Sequence, residues 1–324
     1  MKLANLGIVS AVVAAGMFAE PGAASAQEFP TKPIQLIVPT RPGGDIDLNA
    51  RILSKHLANQ LSEAVVVVNV AGGGGNIGSH KLLDSEADGH TLLMLNTVLF
   101  TSPLVGAMDV DIDDFDVVTI GTYSDTNMWV TRTESPFNTV EELTAAVLAA
   151  PNTITYAATV GAPSHVQAIA YEDAIGGDLK KIDTGSGSDK IVATLTGQVD
   201  LLTTNYPLIR DFLAKGDMKV LGMLSKERSS LLPDLPTFKE GGAEFGPDFN
   251  MFYVLLAPKG TPESVKADIS DAVKAVVEHP AAAKDFEDAY FTVGHLDGPA
   301  ALEYLKAIEP GFTAIKDLVT SDKF

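Results

Sequence analysis

The chain has 324 residues, enough for one large domain or two smaller ones with apolar cores. Hydrophobic residues make up 46% of it and charged residues 20%, which is typical of a globular protein in water. The formal net charge of -19 argues against nucleic-acid binding, which needs a basic surface, so no nucleic-acid partner is expected. Because the chain has no cysteine, it has no disulfides, thiolate metal sites or cysteine nucleophiles.

The first 26 residues have the pattern of a secretory signal peptide. Lys2 precedes an apolar stretch from about Leu3 to Phe18, and the ASA sequence at 24–26 matches an A-x-A cleavage site. The alternative is a membrane anchor, but the apolar stretch is shorter than the roughly 20 residues that span a bilayer. We therefore expect cleavage after Ala26 and a mature protein that begins at Gln27 outside the cytoplasm.

Strand-like apolar runs then alternate with helical patterns along the chain. Strands are expected at 35–39, 65–70, 91–96, 116–123, 127–132, 153–159, 199–205, 218–225 and 249–258. Helices are expected at 46–61, 139–150 and 165–175, and the end of the chain, 261–324, is predicted to be helical. Most of the strand runs are continuously apolar, which is typical of buried strands. The alternation predicts an α/β fold with largely parallel sheets.

The first strand leads into the first helix through TRPGGDID, residues 40–47. A glycine-containing turn at this position can direct backbone amides toward an anion. Asp45 and Asp47 leave three interpretations open, namely a ligand-binding loop, a helix cap or half of a metal site. Two aspartates without a third acidic cluster supply too few oxygen ligands, so no metal is expected. Capping of the helix is expected for one of the two.

Three further junctions of strand and helix are small and polar. They are ATVGAPSH at 158–165, DTGSGSD at 183–189 and TTNYP at 203–207. In open α/β sheets, ligands bind beyond the carboxyl ends of the strands. Any one of these loops could be an ordinary capped turn, but the set, together with the 40–47 turn and the secretion signal, favours ligand binding.

The remaining motifs do not indicate catalysis or a cofactor. The glycines at 73, 75 and 78 match a dinucleotide fingerprint, but the next strand ends at Asn96 without the acidic residue that the fingerprint needs. The acidic run at 109–116 begins like a calcium loop but lacks its glycine and its final glutamate. No histidine pair has zinc spacing and no serine lies in a nucleophile elbow, so the protein is expected not to be an enzyme.

The chain resembles the extracytoplasmic solute receptors of tripartite tricarboxylate transporters, also called the Bug family. The ordered segments that carry the resemblance cover nearly all of the mature chain. They are FPTKPIQLIVP with the following PGG-x-x-D-x-x-AR (29–51), VVVN with GNIG (66–78), ADGHTLLM (87–94), YAATVGAPSH (156–165), LTGQVDLL (195–202), ERSSLLPDLPTFKEGG (227–242) and APKGTP (257–262). The resemblance implies a type II periplasmic-binding-protein fold, in which two α/β domains surround a ligand cleft. The domains are expected at 27–127 plus 252–324 and at 128–251, with crossings near 127–129 and 249–252.

The resemblance also implies a function. It predicts a monomeric periplasmic receptor that captures a small organic carboxylate and delivers it to the membrane subunits of a tripartite transporter, without a cofactor. The alternatives are a receptor for an ABC-type transporter and a secreted α/β hydrolase.

The family's ligand loops match residues 39–47 and 160–165. We expect the amides of Gly43 and Gly44 to bind the carboxylate, Arg41 to contact it, and Asp45 to disfavour a second anionic group. The full set of predicted binding residues is Pro39, Thr40, Arg41, Gly43, Gly44, Asp45, Asp47, Asn96, Gly161, Ala162, Pro163, Ser164, His165, Thr184, Gly185, Ser186 and Asn205.

Overall fold

The computed structural model describes residues 29–185 and 187–321, so the predicted cleavage site and Ser186 lie outside the described residues. The strands are β1 (Ile34–Val38), β2 (Val65–Asn69), β3 (Thr91–Leu95), β4 (Phe115–Ser124), β5 (Asn127–Arg132), β6 (Thr155–Ala158), β7 (Lys180–Asp183), β8 (Leu201–Asn205), β9 (Met218–Met223), β10 (Met251–Pro258) and β11 (Thr292–Asp297). The α-helices are α1 (Asp45–Leu61), α2 (Asn76–Leu83), α3 (Val98–Leu104), α4 (Val140–Ala149), α5 (Pro163–Ile175), α6 (Gly187–Leu195), α7 (Tyr206–Lys215), α8 (Glu263–Glu278), α9 (Pro280–Asp288), α10 (Gly298–Thr313) and α11 (Lys316–Ser321). None of the helices in these two ranges combines the length and the hydropathy needed to span a bilayer.

The described strands form two sheets. The first has the order β11-β4-β10-β3-β1-β2 and the second the order β7-β6-β8-β5-β9. The chain passes from the first sheet to the second between β4 and β5, and it returns between β9 and β10. We call the first sheet with its helices the first half of the molecule, and the second sheet with α4 to α7 the second half.

Each predicted strand run contains a strand, but the expectation of largely parallel sheets is wrong. β10 is antiparallel to both β3 and β4, and β5 is antiparallel to both β8 and β9. These strands lie beside the two crossings. Two strands that follow each other in one sheet are parallel only when a crossover connection returns the chain to the end of the sheet where the first strand began. Between β4 and β5 and between β9 and β10 the chain passes to the other sheet, so no such crossover is made there.

The prediction that the end of the chain is entirely helical is also wrong. Residues Thr292–Asp297 form β11, the edge strand of the first sheet, antiparallel to β4. Their side chains are exposed or half-buried, because β11 lies at the edge of the sheet and has a neighbouring strand on one side only. The segment therefore lacks the continuous apolar run by which the other strands are recognised.

Helix α1 forms because its apolar residues repeat at helical spacing and cover the first sheet. Of the apolar residues at this spacing, Ile46, Ala50, Leu53 and Leu57 are buried and Leu61 is half-buried, and the face packs with Ile269 and its neighbours on α8. Full burial of one such aliphatic side chain contributes about 1.5–3 kcal/mol. This packing fixes the position of the helix, and hence the position of the 40–47 turn at its N-terminus.

A series of neighbouring aromatic rings connects the two halves of the molecule. Centroid distances of 5.3–6.1 Å link successive rings in the order Phe252, Phe100, Phe312, Phe249, Phe245 and Trp129. Phe252 lies on β10 in the first sheet, whereas Trp129 lies on β5 in the second. The halves are thus joined through one continuous apolar cluster, and the strand ends face each other across a cleft.

Candidate functional site

A cavity of about 700 Å³ lies between the two halves, and residues of both line it. It opens at the carboxyl ends of the parallel strands, where β1 and β3 of the first half and β6, β7 and β8 of the second lead into helices. This is the place where open α/β sheets bind ligands. The volume is suited to a small molecule.

Helix N-termini from both halves reach the cavity. Asp45 begins α1, Pro163 begins α5 and Gly187 begins α6, and all three line the wall. Neither Gly44 nor Ala162, the N-caps of α1 and α5, closes its helix with a side-chain hydrogen bond. The positive ends of the helix dipoles thus lie at the wall, so the cavity attracts an anion although the whole chain is acidic.

Asp47 holds the 40–47 turn in shape. Its carboxylate is 4% exposed and accepts hydrogen bonds from the Gly43 amide (3.0 Å), from Arg51 Nε and Nη2 (both 2.9 Å) and from Asn69 Nδ2 (2.9 Å). Gly43 has a φ of +90°, a conformation that favours glycine. Asp47 therefore fixes the turn before α1 through the Gly43 amide, while the N-cap residue of the helix is Gly44, which makes no side-chain cap hydrogen bond.

Asp45 instead lines the cavity. Its Oδ2 accepts hydrogen bonds from Asn96 Nδ2 (3.0 Å) and from the Tyr253 hydroxyl (3.1 Å), which come from the end of β3 and from β10. Burial raises the pKa of the Asp45 carboxyl above its ordinary value, and the hydrogen bonds from Tyr253, the Ile46 amide and Asn96 partly offset this rise. The two aspartates of the turn thus have different roles, one facing the ligand space and one supporting the loop.

Lys190 on α6 supplies a buried cation in the cavity wall. Only 6% of the residue is exposed, and its Nζ donates to Ser164 Oγ at 2.6 Å. Burial lowers the pKa of Lys190 to about 8, although the carboxylates of Asp45 and Asp183 act in the opposite direction. At neutral pH the ammonium therefore remains mostly protonated. Among the described residues no other side chain lies within hydrogen-bond distance of Nζ, so two of its three N–H donors remain for a ligand.

Contacts between the halves close the rim of the cavity. Arg41 Nη1 lies 3.1 Å from Asp189 Oδ2 on α6, with 67% of the Arg41 side chain exposed. Deeper in, the hydroxyls of Thr101 and Ser102 lie 3.1 and 2.8 Å from the Gly161 carbonyl. Arg41 was predicted to contact the ligand. It does line the cavity, but its guanidinium is paired with an acid that reaches across from the opposite half.

The second half contributes buried polar atoms that have no hydrogen-bond partner. Both amide atoms of Gln167, Nδ2 of Asn127, Oγ1 of Thr204 and Oδ1 of Asn205 are in this state, and all four residues line the cavity. Buried polar groups are nearly always hydrogen-bonded in folded proteins. A polar ligand or ordered water that occupies the cavity would supply the missing partners.

The structure brings most of the predicted site residues to the cavity wall. Those that line it are Pro39, Thr40, Arg41, Gly44, Asp45, Asn96, Ala162, Pro163, Ser164, Gly185 and Asn205. Those among the described residues that do not are Gly43, Asp47, Gly161, His165 and Thr184. Gly43 cannot offer its amide to a carboxylate as expected, because that amide already donates to Asp47. Ser186 lies outside the described residues.

Cavity-lining residues that were not among the predicted set include Lys190, Gln167, Asp183 and Asn127, together with Gly72 to Gly75. Lys190 directly follows the DTGSGSD loop. Its place in the first helical turn after a predicted ligand loop was the signal in the sequence that could have identified it. The glycine run lies close to α3, where a Cβ at Gly74 would lie 2.8 Å from Ser102 Oγ. Among residues 29–185 and 187–321, no three metal-ligand side chains lie together.

A cavity between two α/β halves, with helix N-termini directed into it from both, defines a solute-binding protein. The family model "Tripartite tricarboxylate transporter family receptor" matches residues 49–304. Protein BugT of Bordetella pertussis (strain Tohama I) is 31% identical over 288 residues, which cover 84% of this chain and 86% of BugT. The chain therefore belongs to the tripartite tricarboxylate transporter receptor family.

Solved structures of similar proteins have the same fold. The periplasmic binding protein BugD aligns with a TM-score of 0.83 and 25% identity, covering 91% of this chain and 100% of that chain. MatC from Rhodopseudomonas palustris, solved with bound malate, aligns with a TM-score of 0.81 and 22% identity over 90% and 100% of the two chains. The predicted family and the predicted periplasmic-binding-protein fold are confirmed.

Proposed function

We propose that the mature protein is a periplasmic receptor that holds a small organic carboxylate in the cleft and presents it to the membrane subunits of a tripartite transporter. The observation that carries this proposal is the buried ammonium of Lys190, in a wall that also contains the N-termini of α1, α5 and α6. Burying a lysine is costly unless an anion compensates it. Asp45 and Asp183 act on this charge, but no described carboxylate lies within hydrogen-bond distance of Nζ, so a ligand carboxylate would supply the direct partner.

The binding step follows from the donors in the wall. Two N–H bonds of Lys190 are available beside Ser164 at the N-terminus of α5, where a carboxylate can accept charge-assisted hydrogen bonds and the helix dipole also favours it. The unpartnered amide of Gln167 and the side chains of Asn127 and Asn205 then select the rest of the ligand. These donors all belong to the second half, whereas the first half contributes Asp45, Asn96 and the N-terminus of α1 to the same wall, so the ligand is enclosed between the two halves.

A thermal-shift screen of residues 27–324 against small carboxylates tests the function. A compound present at 100 times its dissociation constant adds about 2.7 kcal/mol to the free energy of unfolding. The malate bound to MatC, which shares only the fold, makes hydroxy- and dicarboxylates useful members of the panel, beside amino- and monocarboxylates. We expect at least one carboxylate to stabilise the protein, and its uncharged amide to have no effect. A panel in which amides and carboxylates behave alike would contradict the proposal.

The affinity for a carboxylate is predicted to depend on pH. The protonated form of Lys190 binds the anion, and burial places the pKa of this lysine at about 8. The affinity should therefore be nearly constant between pH 6 and 7 and should fall as the pH rises above about 8. Calorimetry at a series of pH values measures this, and the Lys190→Met protein serves as the control whose residual affinity stays flat. An affinity that rises between pH 8 and 9 would show that a neutral lysine is the binding form.

We also propose that the protein reaches the periplasm by cleavage after Ala26 and acts there as a monomer. The A-x-A pattern supports the cleavage, and the similarity to periplasmic binding proteins supports the location. Intact-mass spectrometry of protein from a periplasmic extract should give a chain that starts at Gln27. Recovery of the chain with residues 1–26 still attached would refute the cleavage.

Hydrolysis is a second candidate function, and one contact favours it. The Ser164 hydroxyl lies 2.6 Å from a lysine with a lowered pKa, at the N-terminus of α5. A serine–lysine pair can attack an ester when the lysine is neutral. Since a lysine with a pKa of about 8 is mostly protonated at neutral pH, it acts there as a donor, and anion binding is the better-supported function. Turnover of activated esters that disappears in Ser164→Ala would make hydrolysis the better-supported function.

A further inference from the structure

We propose that the ligand carries a cationic amine in addition to its carboxylate, and that Asp45 binds this amine. The inference rests on the proposed function, because it assigns the carboxylate to the Lys190 end of the cavity. It defines the ligand as an amino acid or another aminocarboxylate, which has no net charge at neutral pH.

The first observation is how Asp45 is held. Its Oδ2 is fixed by Asn96 Nδ2 at 3.0 Å and by the Tyr253 hydroxyl at 3.1 Å, and those two residues are 3% and 1% exposed. Both donors are neutral, so they orient the carboxylate without cancelling its charge. Among the described residues no side chain donates to Oδ1, and beside the Ile46 amide that also acts on this carboxylate its lone pairs have room for a donor of the ligand.

The second observation is the balance of charge in the wall. The charged residues that line the cavity are Arg41, Asp45, Asp183 and Lys190. Arg41 is paired with Asp189 at the rim, so Lys190 faces two acids, Asp45 and Asp183, with no further cation in the described wall. A dicarboxylate would bring two negative charges to this surface. An aminocarboxylate brings one charge of each sign and leaves the balance unchanged.

The third observation separates an amine from a hydroxyl. The hydrogen-bond partners of the Asp45 carboxylate are neutral, and Lys190, the described cation that acts on it, is assigned to the ligand carboxylate in the proposed function. Desolvating Asp45 is therefore costly unless a further cation compensates it. A hydroxyl would donate one hydrogen bond to Oδ1 but would leave the charge in place. An ammonium donates and also neutralises the charge, and Asn205 Oδ1 and Gln167 Oε1 in the same wall are unpartnered acceptors for its other N–H bonds.

Calorimetry with matched ligands tests the assignment. The panel has three sets of ligands, and the members of each set have the same chain length. Each set contains an amino acid and a hydroxy acid, and two of the sets also contain a dicarboxylate. The sets are alanine and lactate; β-alanine, 3-hydroxypropionate and malonate; and 4-aminobutyrate, 4-hydroxybutyrate and succinate. In the set whose length fits the cavity, the wild-type protein should bind the amine at least about tenfold more tightly than the hydroxy acid, and the dicarboxylate least.

Two variants locate the effect. Asp45→Asn keeps the acceptor for Asn96 and Tyr253 but removes the charge, so it should lose the preference for the amine and gain affinity for the dicarboxylate. Asp183→Asn removes the same charge from another part of the wall and should keep the amine preference. Melting temperatures close to that of the wild type verify that both variants fold.

The outcomes separate this inference from the proposed function. If no carboxylate of any kind binds the wild-type protein, the proposed function fails. If carboxylates bind but the wild-type protein ranks the dicarboxylate or the hydroxy acid first, the amine assignment is wrong and the carboxylate function stands. A wild-type preference for the amine that survives in Asp45→Asn would also overturn the role of Asp45.

Discussion

Replacing Lys190 with methionine is expected to weaken carboxylate binding by about a hundredfold, and this is the largest effect on binding that we predict. Methionine has a similar length and remains compatible with the buried site, but it donates no hydrogen bond. Hydrogen bonds to charged groups contribute about 1.5–3 kcal/mol, and removing one member of a buried ion pair costs about 2–5 kcal/mol. Calorimetry at pH 7 with the tightest carboxylate from the screen measures the change.

A second lysine provides the matched control. Lys55 lies on α1 with 66% of its side chain exposed, and it pairs with Asp285 far from the cavity wall. Lys55→Met removes the same charge from the protein but should leave the affinity unchanged. If both variants weaken binding equally, the effect comes from overall charge. If Lys190→Met binds as tightly as the wild type, the anion does not lie at Lys190.

Asp47→Ala is expected to lower the free energy of unfolding by about 3 kcal/mol, the largest effect on stability that we predict. The buried carboxylate accepts hydrogen bonds from the Gly43 amide, from Arg51 and from Asn69, and the substitution leaves these donors without their acceptor. Urea denaturation of the ligand-free protein gives the difference. Asp288→Ala, which removes an exposed ion pair with Lys284, should cost less than about 1 kcal/mol.

The same carboxylate should make the stability depend on pH. Burial alone would raise the pKa of Asp47, but the hydrogen bonds from Arg51, Gly43 and Asn69 outweigh it and hold the pKa below its ordinary value. Its contribution is thus complete above the unfolded-state pKa of about 3.9 and is lost as the pH falls through the lower folded-state pKa. The difference between wild type and Asp47→Ala should shrink in that acidic range. A difference that is equally large at pH 3 and pH 7 would contradict this role.

Much of the fold could be predicted because the strands are apolar and the helices are periodic. The face of α1 from Ile46 to Leu57 is buried as its spacing indicates. The direction of β10 could not be predicted, since its continuous apolar run is equally suited to a parallel and an antiparallel position. β11 was missed because an edge strand with half-buried side chains has no apolar pattern to recognise.

Site residues at the ends of strands were predicted from the sequence, whereas site residues in the interior of helices were missed. The turn from Pro39 to Asp45 and the start of α5 were found in this way. Lys190 and Gln167 lie inside α6 and α5, where a polar residue in a sequence is normally taken for a solvent-exposed face. Only the packing of these helices between the sheet and the cleft shows that the two side chains are buried. The separate roles of Asp45 and Asp47 likewise depend on partners that are distant in sequence, such as Tyr253 and Asn69.

A crystal structure of the mature protein with its tightest-binding carboxylate would show whether the ligand's anion lies at Lys190. We predict that a carboxylate oxygen of the ligand lies within hydrogen-bond distance of Lys190 Nζ, beside Ser164 at the start of α5, with protein atoms of both halves around the molecule. A ligand found in the same cleft whose carboxylate points away from Lys190, toward solvent or toward Arg41 at the rim, would contradict the account.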